Sequence, residues 1–237
     1  MGLIVPSVNA VIEPEFNRVA PPGFTFHATR VMLRETTPEG LREMNREVDH
    51  AAALLATLRP AVLVYACTSG SFVDGWEALQ RQMDRLADQA DCPVVATSAA
   101  MVAALQHLGV RCIALATPYL DSVNRLEQAF LEGRGFCVRV CRGLGLSGQA
   151  IREVPPERVY ALAVEADDPQ AEAVFVSCTD LRALEVVDAL ERALRKPVLT
   201  SNQVTLWALL RAAGWAGTLD GCGRLLAGVA PPRATAP

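Results

Sequence analysis

The chain has 237 residues, 51% of them hydrophobic and 20% charged, with a formal net charge of −4 at pH 7. That apolar fraction supports a core and excludes intrinsic disorder. Twenty-two basic residues against 26 acidic ones, with no basic run, leave no electrostatic footprint for nucleic acid. No apolar stretch approaches the roughly 20 residues that span a bilayer. Met1–Pro6 lacks the basic segment and cleavage pattern of a secretory leader, which predicts a cytoplasmic protein with no membrane partner. Seven cysteines, an odd number, predict free thiols rather than a disulfide framework. Cys137 and Cys141 stand four apart, but no further Cys or His completes a zinc set, so no metal is expected.

In chain order, Gly2–Pro6 is a short apolar strand running into Ser7-Val8-Asn9, and Phe24–Leu33 is a second strand. Thr37-Pro38-Glu39 opens a helix with a capping threonine, proline at the first helical position and an acidic first turn. Its residues Leu41, Met44, Val48, Ala52 and Leu55 recur at i, i+3/i+4 and present one buried face. Strands follow at Val62–Ala66, Pro93–Ala96, Arg111–Ala116, Phe136–Arg142, Ala173–Ser177 and Pro197–Thr200, most of them separated by amphipathic stretches of helical length. Gly143–Gly148 is predicted as a loop; it matches neither a Walker A motif nor G-x-G-x-x-G, and no nucleotide or other organic cofactor is implied. Strands apolar on both faces and separated by helices indicate parallel sheets in an α/β fold.

An internal repeat sets the domain organisation. Val62-Leu63-Val64-Tyr65-Ala66-Cys67-Thr68-Ser69 is echoed by Ala173-Val174-Phe175-Val176-Ser177-Cys178-Thr179-Asp180, an offset of 178 − 67 = 111. Each copy continues through a helix and a Pro-Val strand ending in Thr-Ser, then a helix closing at Leu108-Gly109 or Ala213-Gly214. Gly2–Pro6 corresponds in the same way to Cys112–Pro118. Two pseudo-symmetric α/β domains are predicted, residues 1–97 with 202–237 and residues 98–201, each a short, mostly parallel sheet flanked by helices, with the active site in the cleft between them. The mean hydropathy of +0.23 predicts apolar surface covered by a partner, most simply in a C2 homodimer.

In open α/β sheets, ligands bind just beyond the carboxyl ends of the strands. Cys67 and Cys178 both stand there, each expected directly before a helix, whose N-terminus lowers a thiol's pKa. A single buried cysteine is ordinarily structural; recurrence at equivalent repeat positions makes both catalytic candidates. Two sulfurs flanking one substrate suit acid/base work on both faces of a carbon, or attack from one side with proton delivery from the other. Thr68, Ser69, Thr179, Ser98, Ser201 and Asn202 follow strand ends, where helix amides receive carboxylates and where plain capping is the alternative role. Asn9 reaches the cleft after the first strand, and Tyr119 does so at the corresponding place in the second copy. His27, His50 and His107 are isolated and pair with neither cysteine in sequence.

Pro6-Ser7-Val8-Asn9, Ala66-Cys67-Thr68-Ser69-Gly70-Ser71-Phe72, Ala116-Thr117-Pro118-Tyr119, Ser177-Cys178 and Thr200-Ser201-Asn202-Gln203 resemble the aspartate/glutamate racemase superfamily. Within it the chain is most similar to the maleate cis-trans isomerases and arylmalonate decarboxylases, from Gly2 to about Gly214. The resemblance implies a cofactor-free active site between two α/β domains. It also implies a small dicarboxylate substrate held by Asn9, Thr68, Ser69, Tyr119, Thr179 and Asn202. Decarboxylases of this type carry glycine where this chain has Cys67, whereas the isomerases and the amino-acid racemases keep both cysteines. The Asn9 loop favours isomerisation of a maleate-type substrate: Cys67 adds to the alkene, rotation follows, and Cys178 handles the proton. A two-cysteine racemase of aspartate, glutamate or related acids, an arylmalonate-type decarboxylase, and a dicarboxylate-binding protein without turnover are the alternatives.

Overall fold

The structure, a computed structural model, describes residues 1–228; the end of the predicted first domain, 229–237, lies outside the described residues. The strands are β1 (Gly2–Pro6), β2 (His27–Val31), β3 (Leu63–Tyr65), β4 (Val94–Ala96), β5 (Cys112–Tyr119), β6 (Cys137–Leu146), β7 (Ala173–Val176) and β8 (Val198–Thr200). They form two four-stranded sheets in the orders β2-β1-β3-β4 and β6-β5-β7-β8. All six pairings are parallel. The second order is the first with every strand advanced by four, so the sequence repeat is a repeat of topology.

The helices are α1 (Ile12–Val19), α2 (Pro38–Asn45), α3 (Val48–Ala56), α4 (Thr68–Phe72), α5 (Trp76–Ala90), α6 (Thr97–His107), α7 (Asp121–Glu132), α8 (Pro156–Ala166), α9 (Val187–Leu194), α10 (Ser201–Ala212) and α11 (Gly223–Ala227). They bury strands β1, β3, β7 and β8 completely. That explains why those strands are apolar on successive residues instead of alternating. Strand β2, at a sheet edge, is largely exposed. Helix α10 packs against α6, α1 and β4, joining the two halves. Among the described residues, no helix is long and apolar enough to cross a membrane.

Four local features differ from the sequence expectations. The helix opened by Thr37 is two helices, α2 and α3, although Leu41, Met44, Val48, Ala52 and Leu55 are all buried as predicted. The break is a turn in which the Arg46 and Glu47 N–H groups reach back three residues to Glu43 and Met44. The Glu47 carboxylate then accepts the Met32 N–H at 3.0 Å. Second, Gly143–Leu146 continues β6 rather than forming a loop, with Thr117 paired to Gly143 and Tyr119 to Leu146. A Cβ at Gly143 would lie 2.4 Å from the Asn124 side-chain nitrogen, so glycine permits this close pass.

Third, Cys178 does not precede a helix: a turn of several residues separates it from α9. Fourth, α11, predicted in the first half with everything from residue 202 onward, packs against α9 and β8 as well as against α10. Carboxylates of α9 hold it there, the Gly223 N–H on Asp188 at 2.7 Å and the Arg224 N–H on Glu191 at 2.9 Å.

Candidate active site

Cys67 leaves β3 in an extended conformation and caps α4, its sulfur accepting the Gly70 N–H at 3.3 Å with the Ser69 hydroxyl 3.8 Å away. The cap depends on glycine at position 70. A Cβ there would stand 2.2 Å from the Tyr65 hydroxyl and 3.0 Å from the Cys67 sulfur. That hydroxyl donates to the Asn45 side-chain oxygen, while the Asn45 amide donates to the Gly70 carbonyl at 2.9 Å. The N–H groups of Thr68 and Ser69 belong to the first helical turn, where no intrahelical acceptor exists.

Cys178 ends β7 with a φ of +109°, a backbone region that side chains other than glycine rarely enter. Two hydrogen bonds hold it: its N–H donates to Ser201 Oγ at 2.9 Å, and its sulfur accepts the Asp180 N–H at 3.4 Å. Ser201 Oγ also accepts the Thr68 hydroxyl at 2.8 Å. One serine at the start of α10 therefore ties the two cysteine loops together. Strain of this kind persists only where the surroundings over-determine it, and it clusters at functional sites.

Asn9 joins the same network. Its side-chain oxygen accepts the Val11 and Ile12 N–H groups at 3.0 and 3.1 Å. Its amide donates to Thr179 Oγ1 at 2.9 Å, and that hydroxyl donates to the Ala66 carbonyl at 3.2 Å. The carboxyl ends of β1, β3 and β7 are thus fastened side by side.

Cys67, Cys178, Asn9, Thr68, Ser69, Tyr119 and Thr179 all line one cavity, together with Asp180 and apolar side chains such as Leu33 and Ile151. The structure places Asn202 elsewhere. It is buried behind the Cys178 turn, where its amide donates to the Glu15 carboxylate at 2.7 Å and the Thr179 carbonyl at 3.1 Å. A buried amide takes the partners that satisfy it, and here they are internal. Tyr119 is the opposite case: its hydroxyl is buried in the cavity wall with no partner among the described residues. Asp180 is the site residue the sequence expectations omit, although it sits opposite Ser69 in the repeat.

The cavity measures only about 20 Å³, room for little more than one water. Two loops cover it, one from each half. The Thr36 N–H donates to Ser147 Oγ at 2.7 Å, and the Gly148 N–H returns to Thr36 Oγ1 at 3.3 Å. Thr36 and Ser147 are 111 residues apart, the same offset as the two cysteines. Anything larger than a water enters only when these loops part.

Burial pushes the Cys67 thiol up to about 11, against the opposing pull of the Gly70 N–H and the Ser69 hydroxyl. Burial pushes the Cys178 thiol higher still, and the nearby Asp180 carboxylate adds to it. The expected helix-terminus effect is therefore outweighed: α4 has five residues, and Cys178 has no helix after it. Both sulfurs carry their protons in the closed cavity at neutral pH. Such a pair can donate protons, and either member becomes a nucleophile once deprotonated. Among the described residues, no group of three His, Cys, Asp or Glu could hold a metal ion.

Over residues 1–226 the chain matches the sequence model of the arylmalonate decarboxylases. It belongs to the arylmalonate decarboxylase family. The arylmalonate decarboxylase of Bordetella bronchiseptica is 31% identical over 95% of this chain and 95% of its own. The maleate isomerase of Nocardia farcinica is 30% identical over 95% of this chain and 94% of its own. The solved structure of a cysteine-to-serine mutant of the Nocardia farcinica maleate cis-trans isomerase, with a covalently bound succinylcysteine intermediate, matches with a TM-score of 0.92. It is 29% identical and covers 97% of this chain and 98% of that one. That relative carries its intermediate on a cysteine, and this chain has two cysteines in its cavity.

Proposed function

We propose that this protein is a cofactor-independent cis-trans isomerase of a small unsaturated dicarboxylate of the maleate type. The observation that carries this is the pair of sulfurs, Cys67 and Cys178, at equivalent strand ends facing one closed cavity. The succinylcysteine on the structural relative supports it. Cys67 is the nucleophile because its sulfur is held by a helical N–H and stands at the anion-receiving end of the cavity. When the loops part, water takes the Cys67 proton, and the thiolate adds to one alkene carbon; the carbon–sulfur bond forms, and the π pair moves onto the neighbouring carboxylate. The Thr68 and Ser69 N–H groups and the Tyr119 hydroxyl receive that charge, the role of an oxyanion hole. Cys178 gives its proton to the adjacent carbon, leaving a succinyl thioether whose central bond is single and rotates. Cys178 then takes a proton back and Cys67 leaves, giving the trans alkene with no net change in protons. Asn9 and Thr179 keep the two loops in register.

The test is proton NMR in D2O with maleate, the enantiomers of aspartate and glutamate, and phenylmalonate. Maleate should convert to fumarate with no cofactor added. Exchange at an α-carbon of the amino acids, or loss of CO2 from phenylmalonate, in place of isomerisation would replace this reading with a racemase or a decarboxylase.

We further infer two domains, residues 1–97 with 202–237 and residues 98–201, on the packing of α10 against α1 and β4. A homodimer in a reducing, cytoplasmic compartment fits the seven free thiols and the exposed Met32, Leu54, Leu58 and Val164. Light scattering at micromolar concentration should read twice the chain mass; a monomer removes the dimer.

A further inference from the structure

Asp180 lines the cavity beside both cysteines and is 5% exposed. Its Oδ1 accepts the Ala10 N–H at 2.8 Å. Its Oδ2 is fully buried and has no hydrogen-bond partner among the described residues. The Arg152 and Arg30 guanidinium groups act on it by charge from nearby, while one N–H of each is held by a backbone carbonyl, Arg152 by Val8 and Arg30 by Asn9, each at 2.7 Å. Burial pushes the Asp180 carboxyl up to about 6, so it remains largely ionised at pH 8. A buried carboxylate oxygen left unmet is costly, and it is satisfied by whatever donor enters the cavity.

The repeat shows what is unusual about this position. Subtracting the offset, 180 − 111 = 69, pairs Asp180 with Ser69. The Cys67 end of the cavity therefore offers donors, a hydroxyl and the free N–H groups of a helical turn. The Cys178 end offers an acceptor, Asp180, beside the Tyr119 hydroxyl. A symmetric dicarboxylate needs donors at both ends, and setting one of its carboxylates against Asp180 repels it in a site of low dielectric.

We infer, within the isomerase reading above, that Asp180 sets the substrate class. Over the dicarboxylate itself, the site prefers a cis-alkenoic acid with a carboxylate at the Ser69 end and a carboxamide at the Asp180 end, the half-amide of that dicarboxylate. The amide N–H meets Oδ2, and the carboxylate next to the alkene still receives the charge when Cys67 adds.

The experiment compares maleamate, the half-amide of maleic acid, with maleate at pH 8. Wild type should favour maleamate in kcat/KM by at least about tenfold, since a site with an unmet acceptor rejects a ligand that brings no hydrogen. Asp180→Asn keeps the acceptor for the Ala10 N–H and replaces Oδ2 by a donor, so it should lower that ratio by about tenfold or more. Asp180→Ser, which copies Ser69, should move it the same way and serves if the asparagine variant folds poorly. The same ratio is read in dissociation constants by calorimetry on a Cys67→Ser protein, where no turnover is needed. If neither compound is isomerised but the binding preference holds, the isomerase reading fails and the role of Asp180 stands. A wild-type preference for maleate, or a ratio unmoved by both substitutions, overturns the proposal for Asp180.

Discussion

Replacing Cys178 by serine should stop the reaction half-way, with the protein heavier by one substrate on Cys67. Replacing Cys67 by serine should leave nothing attached. Both variants should lose turnover by about three orders of magnitude or more, the scale of a lost nucleophile or a lost general acid/base. The asymmetry follows from the two environments. The Cys67 sulfur accepts a helical N–H and stands beside the Ser69 hydroxyl, which favours a thiolate there once substrate opens the cavity. Cys178 lies nearer a carboxylate that opposes ionisation, so it keeps its proton and gives it to carbon. Without it, addition to Cys67 still proceeds, with water giving the adjacent carbon its proton, but the removal of that proton that releases the product does not. Intact-protein mass spectrometry after incubation with the unsaturated acid reads the adduct, and peptide mapping places it. An adduct on Cys178 in the Cys67 variant exchanges the two roles. Full activity in both variants makes the cysteines structural.

The fold was legible because its signals are redundant. Leu3-Ile4-Val5 and Val174-Phe175-Val176 are buried in full, and only a strand covered on both faces has that composition. The 111-residue offset joined the two halves before any geometry was known, and it reappears where Thr36 meets Ser147. The candidate site was legible as far as position along the strand decides it. Of the six residues expected beside Cys67 and Cys178, Asn9, Thr68, Ser69, Tyr119 and Thr179 line the cavity, and Asn202 shows the limit. Following a strand end places a side chain near the cleft, but its amide was claimed by Glu15, a residue 187 positions away. Asp180 was missed for the converse reason. Its position in the repeat was visible, yet its unmet oxygen is a fact of packing. The left-handed backbone at Cys178 has no local signature either, since no glycine marks it.

Glu127→Gln should stabilise the protein at pH 8 and leave its stability near pH 4 almost unchanged. Glu127 lies on α7, fully buried, with one carboxyl oxygen accepting the Ser177 hydroxyl at 2.7 Å and the other without a partner among the described residues. Burial pushes its carboxyl up to about 7, with the Ser177 hydroxyl opposing the shift. The unfolded chain ionises this group near 4.5. Below that pH both states are protonated and the glutamate carries no penalty. As pH rises from there towards 7, the unfolded state releases its proton first, and folding stability falls with each step. Above 7 the folded state ionises too, and the loss levels off. At about 1.4 kcal/mol per pH unit, the full span amounts to about 3 kcal/mol. Glutamine keeps the acceptor for Ser177 and never ionises, but its amide lacks a partner, so a net gain of about 1–3 kcal/mol at pH 8 is expected. Asp180 and Glu15, raised by burial to about 6 and about 7, tilt stability in the same direction; the difference between wild type and variant isolates the share of Glu127. Urea unfolding at both pH values reads it. Equal destabilisation at pH 4 and pH 8 would mean that the second carboxyl oxygen is satisfied in the folded protein, and that the amide costs more than the buried acid.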